Sequence, residues 1–230
     1  MSDFIPRTIK SFTLRAGRLS PRQARGLNTW LSQYALPLEA EPWCLTEIFG
    51  RTAETIVEIG FGMGQSLVQI AKERPEVNFI GIEVHQAGIG SFVADIHEAG
   101  LTNVRVAPYD AVQVFQQCIA PNSLAGVQVF FPDPWPKARH HKRRLIQPGF
   151  VSALAQAIAL DGFLHCATDW EDYAHHMLAV LAAEVLLLNQ AADAGFVIRP
   201  DVRPLTKFEA RGQRLGHGTW DLMFKRIVQH

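Results

Sequence analysis

The sequence predicts an α/β protein with a mostly parallel, doubly wound sheet and an antiparallel C-terminal edge strand. Two observations carry this. From residue 55 onward, short β-rich runs alternate with helical patterns, as they do when crossover helices cover both faces of a parallel sheet. Between the first of these strands and the first helix lies Gly60-Phe61-Gly62-Met63-Gly64, the tight turn at which such sheets bind nucleotides.

The elements follow in order. Strands are expected at 55–59, 78–84, 103–107, 126–131 and 162–167, and helices at 65–74, 86–99, 112–117, 148–160 and 172–188. The last 35 or so residues break the rhythm, and 218–228 reads as a late strand closing the sheet edge. Residues 1–45 read as a basic N-terminal extension, with a helix from Pro21 to about Tyr34 and a linker through Pro37 and Pro42. Residues 46–230 form the main domain.

Composition narrows the class. At 230 residues and 25.6 kDa the chain can bury a full core without staples. Cys44, Cys118 and Cys166 are far apart and include no Cys-x-x-Cys pair, which argues against a disulfide framework or a zinc cluster and suits a reducing cytoplasm. The N-terminus has no secretory pattern, and the longest apolar run, 177–188, is too short to span a bilayer. A soluble cytoplasmic protein with no membrane association is expected, and no obligatory protein partner is evident.

Lys and Arg together equal Asp and Glu at 22 each, yet the charges are segregated. Residues 1–30 hold six basic groups against Asp3. Lys137 to Arg144 holds five with no acid, and Arg199 to His217 holds five against Asp201 and Glu209. Such polarity fits a polyanionic partner on one face.

Carboxylates recur where strands should end. Glu58 stands two residues before Gly60, Glu83 lies 19 residues after Gly64, and Asp110-Ala111 follows the third strand. The spacing G-x-G-x-G differs from the dinucleotide fingerprint, and a carboxylate beside a pyrophosphate would be repelled. A cationic ligand without phosphate, S-adenosylmethionine, suits these acids better. Glu83 is placed for the ribose hydroxyls and Asp110 for the adenine amine. Taken singly, each acid could equally be a solvated loop carboxylate or a helix cap.

The fourth strand runs into Phe131-Pro132-Asp133-Pro134-Trp135-Pro136 and then into Lys137, Arg139, His140, His141, Lys142, Arg143 and Arg144. The prolines fix an extended, inflexible corner around Asp133. Trp135 reads either as a stacking wall or as core packing beside Trp170 or Phe131. The two histidines do not read as a metal site, because the neighbouring cations would repel one; no metal is expected.

Five segments together resemble the bacterial tRNA (guanine-N7-)-methyltransferase family: Arg7 to Phe12 with Gly17-Arg18-Leu19; Glu58 to Gly64; Gly81 to His85; Phe131 to Arg144; and Thr206 to Gly218 ahead of Trp220-Asp221-Leu222. The resemblance implies a Rossmann-like class I S-adenosylmethionine-dependent methyltransferase, with 46–230 as its catalytic domain. The implied reaction methylates N7 of guanine 46 in the tRNA variable loop. It further implies that Glu58, Gly60, Gly62, Gly64, Glu83, Asp110, Ala111 and Asp133 line the cofactor, with Asp133 catalytic. Lys137, Asp169, Thr206, Lys207, Phe208 and Glu209 would bind substrate, and Arg139, His140, His141, Lys142, Arg143 and Arg144 would contact RNA. A methyltransferase acting on a small molecule or protein, and a noncatalytic RNA-binding module, are the competing readings.

Overall fold

A computed structural model describes residues 10–13, 17–200, 203, 209 and 218–228. Seven strands form one sheet in the order β3-β2-β1-β4-β5-β7-β6. They are β1 (Thr55–Ile59), β2 (Asn78–Ile82), β3 (Val104–Ala107), β4 (Leu124–Phe130), β5 (Ile158–Thr168), β6 (Leu187–Asn189) and β7 (Trp220–Arg226). The first five are parallel, and β7 runs antiparallel to both β5 and β6. Every residue of β1 and β2 is buried, which is why these strands read as continuous apolar runs.

Each face packs its own core. Val57, Ile80, Val127, Leu164 and Phe224 meet α6 (Ala111–Gln117), α7 (Pro148–Ala157) and α8 (Glu171–Ala182) through Val114, Leu154 and Met177. On the opposite face Ile56, Phe79 and Val106 meet α4 (Gln65–Glu73) and α5 (Gln86–Glu98) through Leu67, Phe92 and Ile96. No described helix is long and apolar enough to cross a membrane.

Three boundaries differ from the sequence expectation. The helix expected over 172–188 stops at Ala182, and Leu187–Asn189 instead forms β6 outside β7. Hydropathy could not divide that run, because a buried helix and a strand are both apolar there. The helix expected over 148–160 ends at Ala157, and β5 starts at Ile158. Its early residues carry Asp161 at φ 66° and a register shift against β4, so the Asp161-Gly162 pair bends the strand without ending it.

The segment read as an extension packs closely from residue 20 onward. Ser20 caps the helix reciprocally with Gln23, and Pro21 opens it. Helix α1 (Pro21–Arg25) continues through a π-helical stretch (Gly26–Trp30) into α2 (Leu31–Tyr34). Arg22 pairs with Asp95 and Glu98 of α5 at 2.6 and 2.7 Å, and Trp30 stacks on His97. The chain then hydrogen-bonds along β3, where the Leu36 amide donates to the Val106 carbonyl, and buries Trp43. The helix approaches α5 so closely that a Cβ on Gly26 would sit 2.1 Å from the Gly90 carbonyl oxygen. Gly26→Ala is therefore expected to lose about 1–3 kcal/mol in a urea titration, despite alanine's better helix propensity. Gly149→Ala, where a Cβ meets nothing within 4 Å, serves as the neutral control. Equal stability of the two variants would contradict this packing.

Candidate active site

A pocket opens where the parallel strands end. Ile59 and Gly60 line it from β1, Ile82 to His85 from β2, Tyr109 to Ala111 from β3, and Phe130 to Asp133 from β4. Leu145 and two residues of the N-terminal arm, Ser11 and Phe12, complete the lining.

The glycine turn reaches the pocket's floor at Gly60, while Gly62 and Gly64 do not line it. Gly60, Gly62 and Gly64 have φ of 76°, 59° and 79°, a left-handed conformation that glycine adopts without steric cost. A Cβ on Gly64 would lie 2.3 Å from the Phe92 ring, so this glycine is also required for packing on α5. Glu83, 7 % exposed, knits the floor together. One carboxylate oxygen accepts from the amides of Val84 and His85 at 2.7 and 3.0 Å, and the other accepts from Gly62 at 3.1 Å. Asp110 accepts from the Val112 amide at 3.0 Å as the N-cap of α6, so it caps a helix while also lining the pocket.

Glu58 is set apart from the other strand-end acids by burial. Its side chain is 4 % exposed and is not among the pocket-lining residues; it lies on β1 in register with Gln128 of β4. Buried atoms Glu58 Oε2 and Gln128 Oε1 have no hydrogen-bond partner. Loss of hydration pushes the Glu58 carboxyl up to about 7.

The loop after β4 presents Asp133 to solvent. Its two flanks are left-handed at residues that are not glycine, Phe131 at φ 52° and Trp135 at φ 45°. Strain of this kind persists only where surrounding contacts hold it. The Phe131 amide donates to the Ala167 carbonyl at 2.8 Å, and the Trp135 indole donates to the Ser11 carbonyl at 2.9 Å. Trp135 is therefore neither packed in the core nor stacked on Trp170: it anchors the N-terminal arm, with the Arg143 guanidinium 3.8 Å above its ring.

The basic run divides. It forms a short 3₁₀ helix over Ala138–Arg143. Lys137, Arg139 and Lys142 are exposed, as is Asp169 at the end of β5. Burial, with the cations Arg139, Arg143, Lys137 and Lys142, holds the His140 imidazole below its ordinary pKa. His141, half-buried, turns its ring toward Arg144. Arg143 donates to the carbonyls of Lys10 and Phe12 at 3.2 Å each. Arg144 turns inward, unlike Lys137, Arg139 and Lys142. It is 3 % exposed, donates to the Pro134 carbonyl at 2.9 Å, pairs with Asp172 and lies over the Tyr173 ring. It braces the Asp133 corner from below.

Of the expected substrate segment, Thr206, Lys207 and Phe208 lie outside the described residues. Glu209 is buried, with both carboxylate oxygens bonded to Arg203 at 2.7 Å. The sequence reading missed Ser11 and Phe12 as pocket residues. Their only signal in the sequence is membership of the Arg7–Phe12 segment that carries the family resemblance. Among the described residues no group of three His, Cys, Asp or Glu is arranged to hold a metal.

The Glu58 shift fixes a pH dependence. With its pKa raised from the ordinary carboxyl value of 4.5 to about 7, the folded chain holds more protons than the unfolded chain between those values, so stability falls as pH rises through that window. Glu58→Gln should remove this slope and stabilise the ligand-free protein at pH 8 by up to about 3 kcal/mol. Urea titrations of both proteins at pH 5 and pH 8 test it, and parallel pH dependences would show that Glu58 does not carry the shift.

Residues 52–222 match the model of a family described as putative methyltransferases. A tRNA (guanine-N(7)-)-methyltransferase of Legionella pneumophila (strain Corby) is 60 % identical over 220 residues, covering 95 % of this chain and 98 % of its own. One from Shewanella sp. (strain MR-4) is 56 % identical over 222 residues, covering 96 % and 93 %. Among solved structures, the 16S rRNA methyltransferase KamB superposes with TM-score 0.58 at 13 % identity over 80 % of this chain and 93 % of its own. A 16S rRNA (adenine(1408)-N(1))-methyltransferase from Catenulisporales acidiphilia gives 0.54 at 14 % identity over 80 % and 90 %. These two likenesses concern the fold, a Rossmann-like methyltransferase sheet. With near-complete coverage at this level of identity and a glycine turn, strand-end acids and Asp133 corner around one pocket, the chain belongs to the tRNA (guanine-N(7)-)-methyltransferase family.

Proposed function

We propose that this protein transfers the methyl group of S-adenosylmethionine to N7 of guanine 46 in the variable loop of tRNA, acting in the cytoplasm. The observation that carries the reading is the convergence of Glu83, Asp110 and Asp133 on one pocket, beside the exposed cations Lys137, Arg139 and Lys142. The names of the relatives support the same substrate and atom.

The residues present fit the cofactor. Glu83 would hold the ribose hydroxyls through lone pairs its amide partners leave open, and Asp110 the adenine amine through the oxygen not engaged in capping. Bound there, the cofactor supplies an electrophilic methyl group on a sulfonium.

Guanine N7 has an in-plane lone pair and no proton, so the chain's residues need not remove one. Their work is alignment and charge. The rigid Pro132-Asp133-Pro134 corner keeps a carboxylate where the purine becomes cationic, and fixed charge of that kind favours the transition state over the neutral base. Asp133 or Asp169 can also accept from guanine N1–H and its exocyclic amine, a pairing that adenine does not offer. N7 faces the deep, narrow groove of an A-form helix, so the target must sit in a loop or be displaced from its stack, and phosphate contacts from Arg139, Lys142 and His140 offset the cost of displacement without reading sequence.

Incubation with labelled S-adenosylmethionine and an unmodified tRNA transcript should yield 7-methylguanosine at nucleotide 46. Label at another atom or nucleotide, or none, would refute the reading. Arg139→Gln with Lys142→Gln should lower the slope of log affinity against log salt by roughly 1.5 while leaving cofactor affinity unchanged. An unaltered slope would make the run a solvated loop.

A further inference from the structure

Arg203 heads the fully buried side chains in size among the described residues, at 1 % exposure. In the sequence it stands as one more cation of the basic segment Arg199 to His217. Four of its five guanidinium N–H donors are engaged. Nη1 and Nη2 donate to the two Glu209 oxygens at 2.7 Å each, and Nε and Nη2 donate to the two Asp221 oxygens at 2.8 Å each. Its plane lies over Phe130 and Phe131, 5.7 and 5.5 Å from the ring centroids. Asp221 in turn bonds His165 Nε2 at 2.7 Å, and the His165 ring meets Phe130 edge-on.

One side chain therefore joins three parts of the molecule. Glu209 belongs to the segment expected to bind substrate, Asp221 to β7, and Phe130 and Phe131 to the end of β4 that leads directly into Asp133. Phe131 is also one of the two left-handed residues of that turn, whose conformation needs external support. Burial opposes the charge on Arg203, but its bonds to Glu209 and Asp221 outweigh burial and keep it charged. A buried ion cluster is often no more stabilising than apolar packing of the same volume, so stability alone explains it poorly. Lysine offers neither the paired bidentate geometry nor a planar face for two rings.

We infer that Arg203 is a positioning residue for methyl transfer, setting the Asp133 turn through Phe130 and Phe131 and holding the substrate segment to that turn through Glu209. The inference rests on the reading of the Asp133 turn as the reaction centre. A displacement of about 1 Å at such a turn is enough to cost on the order of a hundredfold in rate.

The test is single-turnover methylation of unmodified tRNA by Arg203→Lys, at saturating tRNA, with the rate expressed per cofactor-competent site counted by calorimetry. We expect a fall of about ten- to hundredfold in that rate, with cofactor affinity within about twofold of the parent. A merely structural role would lower the number of competent sites or the melting temperature and leave the rate per site unchanged, and that result would overturn the inference. Asp221→Asn, which keeps the shape and one acceptor, decides the matter if the lysine variant fails to fold: a rate loss of about fivefold or more supports the inference, and a parental rate per site overturns it. Failure of the underlying reading is separately visible, because the parent protein itself would then transfer no methyl to tRNA.

Discussion

Three backbone amides, those of Gly62, Val84 and His85, converge on the Glu83 carboxylate, and the rest of the pocket depends on that junction. It fastens the glycine turn after β1 to the end of β2 and to the start of α5. The approach is close enough that a Cβ on Gly88 would fall 2.1 Å from the Gly62 carbonyl oxygen. A carboxylate is the right clamp here because charge-assisted bonds to amides are stronger than neutral ones and leave lone pairs for a ligand. With the turn fixed, the ends of β1, β2, β3 and β4 present their residues to a common space, as expected at the carboxyl edge of a parallel sheet.

The corner bearing Asp133 is held by cations that turn inward as well as by prolines. Arg144 bonds the Pro134 carbonyl from beneath, and Arg143 stacks on Trp135 while bonding the arm that carries Ser11 and Phe12. A run of like charges therefore does two kinds of work. Arg139 and Lys142 remain free for solvent or phosphate, while Arg143 and Arg144 hold the loop that brings them to the pocket.

Much of this was legible beforehand. The alternation of strands and helices, the glycine turn, and the strand-end positions of Glu83, Asp110 and Asp133 follow from local spacing, which a sequence displays directly. What was not legible depends on distant partners. Nothing in Lys137 to Arg144 separates Arg144 from Arg139; the difference is made by Asp172 and Tyr173, 28 and 29 residues further on. Arg203 likewise counted as surface charge until Asp221 and Phe130 were placed around it. The burial of Glu58 was not legible from its place two residues before Gly60, because it depends on Gln128, its register partner on the neighbouring strand. The break between α8 and β6 was hidden because both elements there are apolar.

The role proposed for Asp133 is charge and orientation without proton abstraction, since N7 carries no proton. Single-turnover methylation by the parent and by Asp133→Asn, measured from pH 6 to pH 9 at saturating tRNA and cofactor, tests it most directly. Asparagine is nearly isosteric and keeps one acceptor, so the turn should survive while the rate falls about a hundred- to thousandfold. The parental rate should stay flat above neutrality. A near-parental rate for the variant, or a parental rate climbing steadily through a base-like transition near neutral pH, would contradict the account.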